Sequence, residues 1–214
     1  MAIVVTKAVG VLGCNMSIIA DPETMDAVLV DPGGDPELII DIIKNRGFRI
    51  IRILITHAHL DHILACNEVE KFTGAQIYYH PNDRKLWLTL PLQCRFLGIA
   101  NAPYIKPPKN LLAHNDVIPF RNGRVLHTPG HTEGSVCFYF EEDKLLCSGD
   151  TLFAGGVGRT DLPGGSTEKL AYSIKNILLI LPEDTKVIPG HGEETTIGQE
   201  KYTNPIILEY LDKF

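Results

Sequence analysis

Thr56-His57-Ala58-His59-Leu60-Asp61-His62 places three imidazoles and a carboxylate within six positions, directly after the apolar run of residues 50–55. An isolated histidine is usually a partly satisfied surface or core residue, but imidazole and carboxylate together are the ligands of zinc, iron and manganese. In an extended segment His57 and His59 face one side, because alternate residues do. If the chain then turns into a helix, Asp61 and His62 swing to a different angle, and two donor pairs can serve two neighbouring ions. Residues 49–55 are β-branched and almost wholly apolar, the profile of a central strand covered on both faces. The donor run is therefore expected at the C-terminal end of that strand.

A closed ligand set needs more donors, and three later segments offer them. These are His127-Thr128-Pro129-Gly130-His131-Thr132, Ser148-Gly149-Asp150-Thr151 and Pro189-Gly190-His191-Gly192. Each follows a β-like apolar run and carries glycine beside the donor, which permits close backbone approach and unusual torsions. All are expected to gather at strand ends.

On these residues the sequence resembles the metallo-β-lactamase superfamily, whose pattern is His-x-His-x-Asp-His followed downstream by a His, an Asp and a His. The resemblance covers nearly the whole chain. It implies that His57, His59 and His131 hold one metal, that Asp61, His62 and His191 hold a second, and that Asp150 bridges them. It also implies an α+β fold, an αββα sandwich of two mixed β-sheets with helices on the outer faces. The cofactor is then two divalent metal ions, zinc first, with iron and manganese admitted by the same donors.

At 214 residues the chain is long enough for one sizeable core, and no Ser-, Gly- or charge-rich linker interrupts it, so a single domain is expected over residues 1–214. Twenty basic against 26 acidic residues give a net charge of −6 without a basic run, which disfavours nucleic acid and anionic membranes as partners. A small-molecule substrate fits better. No secretory signal and no apolar run of about 20 residues is visible. The five cysteines lack C-x-x-C spacing, which suggests reduced, buried thiols and a cytoplasmic location.

In order, residues 3–31 read as a three-stranded meander. Asp35-Pro36-Glu37 then starts a helix with Asp35 as its cap. Residues 62–72 are helical by spacing, 76–79 form a strand, and Asn82 caps a helix through Leu90 with Leu86 and Trp87 toward the core. Residues 91–113, rich in proline, are left as an irregular stretch, either a substrate-facing loop or surface padding. Strands follow at 117–120, 124–127, 135–140 and 144–148, then a helix at 166–181, a strand at 185–188 and a last helix from Asn204-Pro205. Periodicity alone gives a mixed α and β domain, and the repeated order suggests two similar layered halves.

Two ions sharing a carboxylate and a water lower the pKa of that water from 15.7 to roughly 7 in the best-known zinc case, so the chemistry indicated is hydrolysis. Asp61 can also orient the attacking oxygen, and Asp61 and Asp150 are the catalytic candidates. Residues 150–165, from Asp150-Thr151-Leu152 to Leu162-Pro163-Gly164-Gly165, look like those of short bacterial glyoxalase II-type hydrolases, and Thr203-Asn204-Pro205 fits them too. That resemblance implies hydrolysis of a glutathione thioester, S-D-lactoylglutathione, to glutathione and D-lactate. The C-terminal helical domain of longer glyoxalase II enzymes is not expected here. Arg159 can bind a substrate carboxylate through its planar fork; an Arg159–Asp161 ion pair is the competing reading. His127 is read as a buried or supporting histidine, and His80 and His114 as surface residues. Iron-dependent glutathione persulfide dioxygenation and lactone hydrolysis are the alternative activities on the same fold.

Overall fold

The computed structural model describes residues 1–99 and 105–213, with side chains through Glu209. They form two compact units, Met1–Leu112 and Ala113–Phe214, each built on one six-stranded sheet.

In the first unit β1 (Ile3–Val9), β2 (Cys14–Ala20) and β3 (Asp26–Val30) form the expected antiparallel meander. α1 (Pro36–Arg46) crosses over to β4 (Arg49–Leu54), which lies parallel to β3. α2 (Leu60–Ile63) and α3 (Cys66–Thr73) lead to β5 (Gln76–Tyr79), parallel to β4. α4 (Arg84–Leu88) and α5 (Leu90–Phe96) precede β6 (Asn110–Leu111), which completes the sheet in sequence order. The core joins Met16, Ile18, Leu29 and Ile53 of the sheet to Ile39 and Ile43 of α1 and Val69 of α3. Ile39 and Ile43 stand one helical turn apart, which is why one face of α1 is buried.

Local polar chemistry moves three boundaries away from the sequence reading. Asp35 sits in the left-handed region at φ 48° and makes no side-chain cap; its carboxylate instead accepts from Gly10 N at 2.8 Å. The helix expected over 62–72 begins earlier and breaks into two, because Ala65 N leaves the helical ladder to donate to Pro32 O at 2.9 Å. His80, not Asn82, caps the next segment, accepting from Asn82 N at 3.4 Å, and it is buried rather than exposed.

The stretch 91–113 is not wholly irregular. Pro91 occupies the first turn of α5, where its missing N–H costs nothing but ends α4. Trp87 is buried and donates to Ile105 O at 3.0 Å. Residues 100–104 of that stretch lie outside the described residues.

In the second unit β7 (Val117–Ile118), β8 (Gly123–His127), β9 (Val136–Phe140) and β10 (Leu145–Gly149) run antiparallel. A hairpin, β11 (Leu152–Phe153) and β12 (Gly156–Val157), follows. α6 (Thr167–Ser173) continues through a π-helical turn to Leu178. β13 (Lys186–Pro189) is parallel to β10, β14 (Thr195–Thr196) pairs with it, and α7 (Ile197–Thr203) and α8 (Pro205–Lys213) close the unit. β7 is shorter than expected because Arg121 and Asn122, both at φ 49°, turn the chain into β8. Ser166 caps α6 by accepting from Lys169 N at 3.3 Å. α7 adds a helix ahead of the one expected from Asn204-Pro205; its cap is Thr196, whose hydroxyl accepts from Gln199 N at 3.1 Å. Leu126, Leu146, Leu170, Ile174, Leu178 and Val187 form the core of this unit. No helix among the described residues is long and apolar enough to cross a membrane.

Candidate metal centre

The donor run leaves β4 at Leu54 and enters α2 at Leu60, so His57 and His59 stand in extended chain while Asp61 and His62 occupy the first helical turn. The four side chains converge. The His57 ring lies 4.8 Å from that of His59, nearly perpendicular, and 4.0 Å from that of His62. His62 Nε2 is 3.7 Å from Asp61 Oδ2. His57, Asp61 and His62 are buried, and His59 is half-buried.

Asp31, at the end of β3, orients this run. Its carboxylate accepts from Thr56 N at 2.8 Å, Thr56 Oγ1 at 2.6 Å and His62 Nδ1 at 2.9 Å. The bond from His62 Nδ1 turns the Nε2 lone pair of that ring toward Asp61. Thr56 has one hydroxyl proton and spends it on Asp31, so its 3.1 Å contact with His57 Nδ1 makes the imidazole the donor. His57 therefore also presents Nε2. Asp31 was missed in the sequence; the trace it leaves there is an acid at the end of a buried strand, before Pro32-Gly33-Gly34. Gly33 serves the same end, since a Cβ built on it would sit inside the carbonyl oxygen of Asp61.

Cys14 Sγ lies 3.4 Å from His62 Nδ1, and Cys14, Asp31 and His62 are close enough to hold an ion. Burial, only partly offset by His62, pushes the thiol up to about 12, so it stays protonated at neutral pH. With Asp31 committed to Thr56 and His62, the trio supports the donor run rather than forming a site of its own.

In the second unit Asp150 stands between two imidazoles. His131 Nε2 is 3.6 Å from Asp150 Oδ2, and His191 Nε2 is 3.8 Å from Asp150 Oδ1. A register shift between Cys147 and Gly149, with Gly149 at φ 49°, turns the end of β10 so that Asp150 leaves the sheet. His131 Nδ1 lies 2.7 Å from Arg159 O, a bond that again directs Nε2 at the carboxylate. Gly158 permits this closeness: a Cβ there would overlap Asp150 O and lie 3.2 Å from His131 Cβ.

The loop carrying Gly158 is itself tied down. Glu200, fully buried, accepts from Gly155 N at 2.9 Å, Thr195 Oγ1 at 2.6 Å and Asn204 Nδ2 at 2.7 Å. Asn204 Nδ2 also donates to Gly156 O at 3.0 Å, and its Oδ1 accepts from Ile206 N and Ile207 N at the start of α8. The motif Thr203-Asn204-Pro205 thus joins a helix start to the tip of the β11–β12 hairpin.

The remaining candidates fall as follows. Arg159 is exposed and forms a two-pronged pair with Asp161, both bonds 2.7 Å, so its side chain is engaged locally. The guanidinium holds the Asp161 carboxyl down at about 2. His127 Nε2 bonds Glu133 O at 3.0 Å, a supporting role, and exposed His114 accepts from His127 N at 3.1 Å.

His57 and His62 in the first unit and His131 in the second are braced at Nδ1 by protein oxygens, and Nε2 of His62 and of His131 stands beside a carboxylate, the nitrogen and oxygen donors that zinc, iron or manganese require. The family model of the metallo-beta-lactamase superfamily matches residues 9–191, a span that includes every candidate ligand. The chain belongs to the metallo-β-lactamase superfamily. Members of this superfamily bind divalent metals, and in each unit the fold brings His and Asp residues together.

Among superfamily relatives, the Haemophilus influenzae protein named hydroxyacylglutathione hydrolase GloC is 38% identical over 90% of this chain and 92% of its own. The crystal structure of BLEG-1 B3 metallo-beta-lactamase superposes with a TM-score of 0.89 at 38% identity, covering 96% of this chain and 99% of that one. TTHA1623, solved in a di-iron-bound form, gives 0.88 at 39% identity, covering 94% and 99%. The α+β metallo-β-lactamase fold, with its two mixed sheets and helices, is therefore the fold of this chain.

Proposed function

We propose that this chain is a glyoxalase II-type thioester hydrolase that converts S-D-lactoylglutathione and water to glutathione and D-lactate, acting as one catalytic domain over residues 1–214. The observation that carries the substrate is the 38% identity, over nearly the full length of both chains, to a protein named for that activity. His57, His59 and His131 would hold one cation and Asp61, His62 and His191 a second, with Asp150 available to both. Zinc is the first choice of metal, and the di-iron form of TTHA1623 supports iron as an alternative. A cation pair of this kind supplies Lewis acidity and lowers the pKa of a shared water toward about 7.

The residues do the rest. Asp150 offers one oxygen to each side, which suits a shared ligand. Asp61, on the first turn of α2, accepts a hydrogen bond from the attacking water and directs its lone pair. Arg159 exchanges Asp161 for a substrate carboxylate, since both partners are exposed and the pair is cheap to open. The five cysteines are buried thiols, which suits a reducing cytoplasm.

The test is thiol release from S-D-lactoylglutathione by the purified protein, with metal content measured on the same sample. Asp150→Ala is expected to lower kcat/KM by at least about a hundredfold, the upper end of what even an outer partner of a ligand costs. Undiminished turnover in that variant defeats the reading. So does oxygen uptake with glutathione persulfide by a protein holding a single iron.

A further inference from the structure

The peptide groups on either side of His59 are held by side chains from the helical segment after β5, a stretch to which the sequence reading gave no chemistry. Ala58 N donates to Asp83 Oδ2 at 2.9 Å. Leu60 N donates to Gln93 Oε1, also at 2.9 Å. Gln93 Nε2 returns to Ala58 O at 3.3 Å and reaches Leu86 O at 2.9 Å. Asp83 is buried and Gln93 half-buried.

The need for such outside partners follows from local geometry. Residues 56–59 have left the ladder of β4 and have not yet entered α2, so helix and sheet provide few of their backbone bonds. His59 occupies the cap position of α2 at φ −71° and ψ 149° but makes no side-chain cap bond. A serine or aspartate there would accept from the first helical N–H groups. A histidine whose ring is turned to its neighbours does not, and Gln93 supplies the acceptor from another helix.

We propose that Gln93, with Asp83, is a positioning residue for the ligands His57 and His59. Its amide clamps the carbonyl at residue 58 and the N–H at residue 60, and so fixes the peptide planes that aim both imidazoles before a cation arrives. The inference rests on the reading that these imidazoles hold a cation.

The test uses the full chain carrying Gln93→Met, which keeps the volume without the hydrogen bonds, beside Gln93→Ala and the exposed neighbour Leu92→Ala as control. Three readouts are taken: zinc affinity by chelator competition, the visible spectrum of the cobalt-substituted protein, and circular dichroism with thermal unfolding of the metal-free protein. Both Gln93 variants are expected to stay folded, to lose roughly 10–100-fold in affinity for at least one zinc equivalent, and to shift the cobalt bands. Leu92→Ala is expected to match the wild type in all three. A Gln93→Met protein with wild-type affinity and spectrum overturns the inference, whatever its melting temperature, and so does a Gln93→Met protein that fails to fold. A wild-type protein that takes up no zinc defeats instead the metal-centre reading beneath it.

Discussion

His131 Nδ1 lies 2.7 Å from the carbonyl oxygen of Arg159, so the backbone of Arg159 braces a candidate ligand while its side chain points to Asp161. Backbone and side chain therefore have separable roles. Arg159→Ala keeps the carbonyl and is expected to retain wild-type metal content, while raising KM for the glutathione thioester more than it changes kcat. A drop in metal content measured on this variant would assign the side chain to the metal centre instead.

Moving that carbonyl should do the opposite. In Gly158→Ala the new methyl overlaps Asp150 O, and the loop must shift away from both Asp150 and His131. A stability loss of about 1–3 kcal/mol is expected from the overpacking alone. Lower zinc affinity should accompany it, read by denaturant unfolding and chelator competition.

Asp31 is the corresponding brace in the first unit, and removing it is more costly. Asp31→Ala leaves the Thr56 N–H, the Thr56 hydroxyl and His62 Nδ1 without their buried acceptor. A loss of about 3–5 kcal/mol in stability is expected, together with a 10–100-fold weaker metal site. Asp31→Asn, which keeps one acceptor oxygen, should fall between the variant and the wild type in both measurements.

Glu200 and Asn204 tie down the β11–β12 hairpin of the second unit. Glu200→Ala withdraws the buried acceptor for Gly155 N, Thr195 Oγ1 and Asn204 Nδ2. The β11–β12 hairpin should loosen, with about 2–4 kcal/mol lost on thermal unfolding and faster amide exchange at Gly155. Unchanged exchange at that amide would show that the hairpin is held by something else.

The Arg159–Asp161 pair has a pH signature. The ordinary Asp161 value of 3.8 is lowered to about 2, chiefly by the hydrogen bond from Arg159. A group depressed on folding favours the folded state above 3.8 and loses that contribution as pH falls through about 2. Carbon-detected NMR should place the Asp161 midpoint near the lower figure, and Arg159→Ala should return it to the ordinary carboxylate range.

The candidate donors stand out in the sequence because their signal is local. Three imidazoles and an acid in one short run, glycine beside Asp150 and His191, and apolar strands before each need no knowledge of distant contacts. Strands read well for the same reason: β3, β4, β5 and β9 carry runs of β-branched or aromatic residues that bury themselves on a sheet. Helix boundaries did not, since α2 and α3 part where Ala65 N meets Pro32 O, a partner 33 residues earlier.

What the sequence alone determined is which atoms are available for a metal and where along the strands they emerge. Tertiary structure decided which way those atoms point. Asp31, Asp83, Gln93 and the Arg159 carbonyl lie 25 to 35 residues from the groups they brace. A buried polar side chain acquires its role from the one donor or acceptor the fold brings to it, and no periodicity or motif records that pairing in advance.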